Sequence, residues 1–172
     1  MNSKKIIVVV LAGFVILSAF QCQRISERSL STEEDKTVVY RLVDEAWNKG
    51  NVGIIDALLC PDYVLHIPSR QETVDREGYK QAIHMYRTAF PDVLFSIQET
   101  ITEEDKVVIR WTITGTHKGP YMGVAPTDKR VTLTGISIRR FEEGKIAEEW
   151  VVSDMLGLMQ QMGIIPAVGP GK

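Results

Sequence analysis

Apolar residues recur along this chain at two different periods, helical in the first half and strand-like in the second. Val38, Val39, Leu42, Val43, Ala46 and Trp47 are spaced as one stripe of a helix. The spacing predicts that helix over 31–49, opened by a capping box of Ser31 with Glu34 and stopped by Gly50 and Asn51. A shorter helix over 52–59 is expected to end at Pro61. Residues 63–67 alternate as a short strand with His66 inside it, and 70–74 read as a polar loop. The helical period returns over 75–90, where Tyr79, Ala82, Ile83, Tyr86 and Phe90 share a face, and Pro91-Asp92 breaks it. Period-two alternation then predicts four strands, over 93–102, 106–117, 130–141 and 146–153. They are joined by the charged turn Glu103-Glu104-Asp105, a longer loop over 119–128, and the turn Glu142-Glu143-Gly144. One last helical turn is expected over 157–163, and 167–172 read as a loose tail. Helices followed by hairpin-connected strands imply an α+β class, with N-terminal helices packed on a curved, mainly antiparallel sheet. Three helices on such a sheet make a cone with a pocket inside, suited to a small apolar ligand with a few polar groups.

The last predicted strand carries the candidate chemistry. In KIAEEWVVSDM, residues 145–155, alternation puts Glu148, Trp150, Val152 and Asp154 on one face and Ala147, Glu149, Val151 and Ser153 on the other. A carboxylate enclosed beside an indole would have its pKa raised, which suits a proton shuttle near neutral pH. From spacing alone, capping of the turn that begins at Met155 is the first reading of Asp154.

Composition narrows the class further. The chain has 172 residues, 44% hydrophobic and 24% charged, enough for one domain with a real core. A net charge of −2 and the absence of a basic stripe give no argument for nucleic acid. Lys4 and Lys5 precede an apolar run over 6–20, too short for a comfortable membrane span and patterned as an export signal. The run ends at Cys22, which resembles the lipid-acceptor cysteine of bacterial lipoproteins, although Ala19 stands where leucine is usual. Residues 1–22 are therefore expected to be a signal or lipoprotein signal, with lipidation at Cys22, and residues 23–30 a tether to a domain over 31–166. Cleavage near Ala19 and an uncleaved anchor are the alternatives. The implied location is the bacterial cell envelope. Cys60 has no obvious disulfide partner and reads as a small buried hydrophobe. No metal-ligand spacing, Walker motif or dinucleotide glycine pattern is present, so neither metal nor cofactor is expected.

The string VVIRWTITGTHKGPYMGVAPTDKRVTLTGISIRRFEEGKIAEEWVVSDMLGLMQQMG, with AWNKGN, LLCPDYVLHIP and AFPDVLFSI upstream, resembles the SnoaL-like polyketide cyclase (ester cyclase) family. The resemblance runs from about Glu33 to Pro166 and implies the cone-shaped α+β barrel of the nuclear-transport-factor-2-like superfamily. It also implies an aspartate at the end of the last strand acting as acid and base in an intramolecular aldol closure. Asp154, in EEWVVSD, matches that position. Where some members carry an assisting histidine on the preceding strand, this chain has Arg140, in SIRRF. An arginine does not shuttle protons at neutral pH but can stabilise an enolate or alkoxide.

Further candidates follow from parity. His117 shares a face with Trp111 and Ile113 and is expected at the cavity mouth as a relay or hydrogen-bonding group, or else as a turn histidine. His66 is expected to point inward as a second polar group. Trp47, Trp111, Trp150, Phe90 and Tyr121 are candidates for an aromatic wall or for plain core, with Tyr121 and Met122 in a lid. Arg110 lies on the opposite face, where relatives of this fold often form homodimers. Two functions compete on these readings. One is a cofactor-independent acid/base catalyst of cyclase, isomerase or lyase type, acting on a small apolar carbonyl compound with Asp154 as base. The other is an exported, non-catalytic binding protein for a small hydrophobic ligand.

Overall fold

The computed structural model describes residues 32–68 and 71–166. The expected export signal with Cys22, the expected tether over 23–30, the expected cap at Ser31 and the expected tail over 167–172 lie outside the described residues. Among the described residues no helix is long and apolar enough to cross a membrane.

Helix α1 is α-helical over 32–41 and widens into a π-helical segment, Leu42–Asn48. Its predicted stripe is buried through Leu42, Val43, Ala46 and Trp47. The end of α1 is fastened on two sides. Arg87 Nη1 donates to the carbonyls of Trp47 and Asn48 at 2.7 and 2.9 Å, taking up acceptors that a helix terminus leaves open. The Asn48 side chain donates to Phe95 O at 3.1 Å and accepts from Phe95 N at 2.8 Å, pinning the helix to a strand. Gly50 then takes φ +79°, which glycine reaches without strain, and a Cβ there would lie 2.7 Å from Arg87 Nε.

A 3-10 turn, Val52–Ile54, leads into α2, Ile55–Leu58. The chain extends sooner than expected, because β1 covers Leu59–Ile67 and contains Pro61. The strand tolerates this proline where its pairing shifts register, between Leu59 and Val64. The polar stretch expected as loop forms β2 instead, Glu72–Asp75, paired antiparallel with β1. As a sheet-edge strand it is polar, which hides it from a hydrophobicity reading. Helix α3, Arg76–Ala89, begins at Asp75, whose Oδ1 accepts from Gly78 N at 2.8 Å.

Four long strands follow, β3 Leu94–Glu103, β4 Lys106–Thr116, β5 Arg130–Glu142 and β6 Lys145–Ser153, and then α4, Met155–Met162. The sheet order is β2-β1-β6-β5-β4-β3. All neighbours pair antiparallel except β1 and β6, which are parallel. Parallel pairing is open to these two because a long connection, carrying most of the structure, separates them in sequence. Burial alternates along β4 and β5, with Val107, Ile109 and Ile113 turned to the helices from one strand and Val131, Leu133 and Phe141 from the other. Four helices packed on one curved, mixed and mostly antiparallel sheet make the cone-shaped α+β fold.

Candidate functional site

Between the helices and the inner sheet face lies a cavity of about 140 Å³. Its wall is aromatic, formed by Trp47, Tyr79, Tyr86, Phe95, Trp111 and Tyr121. Phe95 bridges the two indoles, with ring centroids 5.4 Å from Trp47 and 5.2 Å from Trp111. Both indole N–H groups are satisfied: Trp47 Nε1 donates to Tyr79 OH and Trp111 Nε1 to Ser137 Oγ, each at 3.0 Å. Trp111 is seated on Gly135, where a Cβ would fall 2.3 Å from its ring. The rings are thus held in place by packing and by hydrogen bonds.

A charged pair is set into this apolar wall. Arg139 and Glu149 stand opposite each other in the β5–β6 ladder. Arg139 Nη2 donates to Glu149 Oε1 at 3.1 Å, and the two side chains are 1% and 4% exposed. Tyr63 OH donates to the other carboxylate oxygen at 3.0 Å. Burial opposes the charge on Arg139, but the Glu149 carboxylate, helped by Tyr79 and Tyr63, holds its pKa above the ordinary value. Burial first, and Glu149 second, push the Tyr63 and Tyr79 hydroxyls above the usual phenol range, so both stay protonated. The Tyr79 hydroxyl lies near enough to the guanidinium for hydrogen bonding to lower the hydroxyl's pKa a little, yet Arg139 Nε and Nη1 have no acceptor in close hydrogen-bonding geometry. Buried donors left open in this way are uncommon, because each forfeits its hydration. Arg139 lines the cavity, with Tyr79, Ser137 and Glu149 as its polar neighbours in the wall.

The roof is closed by the loop after β4. Lys118 N and Gly119 N both donate to Ala89 O, at 2.9 and 3.0 Å, and a Cβ on Gly119 would meet Thr88 O at 2.3 Å. This anchorage drops Tyr121 onto the cavity, 1% exposed, with its hydroxyl donating to Tyr86 OH at 2.8 Å.

Of the residues expected at the site, Trp47, Trp111 and Tyr121 line the cavity and the others do not. The two faces of β6 are those the alternation predicts, but the inward one is the opposite of the one expected. Glu149, Val151 and Ser153 line the cavity, whereas Glu148 and Trp150 are half-buried on the outer side and Val152 is exposed there. Asp154 is exposed at the strand end and caps α4, its Oδ1 accepting from Gly157 N at 2.8 Å. Trp150 stacks on His66, with centroids 5.1 Å apart and planes 9° off parallel. His66 Nε2 and Arg140 Nε reach the two oxygens of Glu148 at 3.0 Å each, so His66, Trp150 and Arg140 form an outer-face cluster and not a part of the cavity. His117 is fully buried below the roof without lining the cavity: its Nδ1 meets Thr127 Oγ1 at 3.0 Å and its ring packs on Phe90.

The polar heart of the cavity, Arg139, Glu149, Tyr79 and Ser137 in the wall with Tyr63 behind Glu149, is not among the site residues expected from the sequence. A signal for it exists. Arg139 shares strand parity with Val131, Leu133 and Phe141, but the register of the Glu142-Glu143-Gly144 turn alone would set it across from Glu148, and a register shift between Arg140 and Phe141 brings it to Glu149. Among the described residues no group of three or more His, Cys, Asp and Glu side chains is arranged to hold a metal.

The chain matches the family model of the SnoaL-like polyketide cyclases over residues 37–162. Its fold is similar to that of AclR from Streptomyces galilaeus, a proposed hydroxylase, at 32% identity and a TM-score of 0.73, over 80% of this chain and 86% of that one. A proposed polyketide cyclase from Acidithiobacillus ferrooxidans is similar at 32% identity and a TM-score of 0.68, covering 76% and 95% of the two chains. IdmH from Streptomyces antibioticus, also a proposed polyketide cyclase, is similar at 28% identity and a TM-score of 0.68, covering 75% and 98%. No protein with a curated description matches the chain. With its cone of helices on a curved sheet and a family match across most of the described residues, the chain belongs to the SnoaL-like polyketide cyclase family, within the nuclear-transport-factor-2-like superfamily.

Proposed function

We propose that the protein is a cofactor-independent acid/base catalyst of carbonyl chemistry, and that the proton is handled inside the aromatic cavity by Glu149 and not at Asp154. The observation that carries this reading is the buried Arg139–Glu149 pair in the cavity wall, with Arg139 Nε and Nη1 lacking an acceptor in hydrogen-bonding geometry. A carbonyl oxygen accepting from them gains negative charge when its α-carbon loses a proton, and fixed donors stabilise that enolate most when water is excluded. Glu149 has one lone pair on each oxygen beyond those taken by Arg139 and Tyr63. It takes the α-proton; the enolate carbon then forms a bond to a second carbonyl, and the protonated carboxyl returns the proton to the resulting alkoxide. Isomerisation or elimination uses the same first step.

A second reading, binding without chemistry, is favoured by the fact that both Glu149 oxygens are already engaged. The two readings separate in one experiment, hydrogen–deuterium exchange at the methyl group of acetophenone in heavy water, followed by NMR. Wild type is expected to accelerate exchange, E149Q to abolish the acceleration, and D154N to keep it. Loss in D154N with retention in E149Q returns the role to Asp154, and no acceleration by wild type supports the binding reading.

Residues 1–22 complete the proposal as an export signal lipidated at Cys22, which places the domain at the cell envelope; metabolic labelling with a fatty-acid analogue, lost in C22S, tests it. The outer sheet face carries exposed Leu94, Ile101, Ile136 and Val152 beside the paired Arg110 and Glu99, and suits a second copy of the chain. Sedimentation showing only monomer at micromolar concentration would remove the dimer.

A further inference from the structure

We infer that the guest of this cavity is an uncharged carbonyl compound about the size of a single ring. The inference rests on the reading of the cavity as the place where a carbonyl oxygen meets Arg139, and it adds the charge and the size of that compound. Size comes first. A cavity of about 140 Å³ is close to the engineered apolar cavity of about 150 Å³ that takes up one benzene. The wall around it is fixed by the Trp47–Tyr79 and Trp111–Ser137 hydrogen bonds and closed above by Tyr121 on Tyr86, so room for fused rings is not obtained by rotating one side chain. A three-ring skeleton exceeds this volume and would have to displace the wall or project into solvent past the exposed Met85.

Charge follows from the lining. Among the residues lining the cavity, Arg139 and Glu149 are the charged ones, and they neutralise each other at 3.1 Å. A carboxylate guest would reach Arg139 only by bringing a second negative charge beside Glu149, with no further cation in the wall to answer it. An isolated charge taken out of water is strongly disfavoured, whereas a neutral carbonyl oxygen brought against Arg139, whose Nε and Nη1 lack acceptors, adds no charge. A guest lacking any acceptor leaves those donors as they are.

Wild-type protein titrated with a series of probes tests both halves. The probes are acetophenone, benzoate, ethylbenzene and 9-acetylanthracene, read by calorimetry and by the fluorescence of the two cavity tryptophans, Trp47 and Trp111. Acetophenone is expected to bind at least about tenfold tighter than benzoate and several-fold tighter than ethylbenzene, and the three-ring ketone to show no binding. In the double variant R139M/E149L, which replaces the pair by apolar side chains, the preference for acetophenone over ethylbenzene is expected to vanish. Benzoate binding as tightly as acetophenone, the three-ring ketone binding as tightly, or no probe binding at all overturns the inference. Binding of acetophenone without α-proton exchange leaves it standing and removes only the catalytic reading; exchange on a charged or three-ring ketone does the reverse.

Discussion

Glu149→Gln is the substitution that tests the structure most severely. Gln keeps the shape and an acceptor for Tyr63, but removes the charge that answers Arg139, whose side chain is 1% exposed. A guanidinium does not neutralise itself by losing a proton, so it remains charged and unanswered in an apolar wall. Breaking a buried pair in this way costs about 3–5 kcal/mol, and the retained acceptor places the expectation at the lower end, about 3 kcal/mol. For a domain of this size that is a fall in Tm of roughly 6–12 °C. Urea unfolding followed by circular dichroism measures the loss directly. The companion is R139M/E149L, in which no charge is buried; it is expected to recover to within about 1 kcal/mol of wild type, because apolar replacements of whole buried pairs are often neutral or stabilising. A loss in E149Q below about 1 kcal/mol would show that the pair is hydrated and the cavity less closed than described. A double variant as unstable as E149Q would show that the destabilisation comes from lost shape and not from lost charge.

Three further outcomes follow from the same geometry. Asp92 accepts from the backbone N–H and hydroxyl of Thr116 at 2.6 and 2.7 Å, and the backbone bond first and the hydroxyl second hold its carboxyl below the ordinary 3.8. Its contribution is therefore present above pH 3.8 and lost as the pH falls toward the lowered folded value, so D92N is expected to be less stable than wild type at neutral pH, by under about 1 kcal/mol given its exposure, and to converge with it in acid. Thermal melts across that range check the sign, and a gap that widens in acid refutes it. Gly135→Ala places a Cβ 2.3 Å from the Trp111 ring and 2.7 Å from Val152 O, so it is expected to cost about 1–3 kcal/mol and to weaken acetophenone binding by pushing the indole into the cavity. Unchanged binding and stability would mean that Trp111 has room to retreat. Tyr121→Phe removes the hydroxyl given to Tyr86 and is expected to lower stability by about 1 kcal/mol and to speed ligand release in stopped-flow fluorescence.

Much of the candidate site was hidden by a single ambiguity. Strand alternation sorts β6 into two faces correctly, yet each face carries a glutamate and a valine, and only one carries the tryptophan. Weight given to Trp150 turned the expected pocket to the wrong side. The indole is half-buried by stacking on His66 on the outer face, a neighbour that parallel pairing of β1 with β6 supplies and that no local pattern announces. Asp154 shows the same limit at the strand end. An acid before a helical turn reads as cap or as reacting group, and here its hydrogen bond is to Gly157 N. β2 is not legible in the sequence because an edge strand with polar residues lacks the apolar alternation that marks buried strands.

The sequence by itself determined the elements, because periods of hydrophobicity, Asp75 as a cap, and the turn glycines act over a few residues. It also carried the family motifs from which the cone fold was expected, along with the export signal expected of its first residues. Only the tertiary structure decided which face of β6 is inside, that Arg139 answers Glu149 in a dry wall, and that Tyr121 closes the roof on Tyr86. The physical reason is that inside and outside are properties of packing between distant segments. A charged residue on a strand has the same local pattern whether its partner lies across the ladder or in the solvent, and burial of the pair is settled only when helices from the other half of the chain cover it.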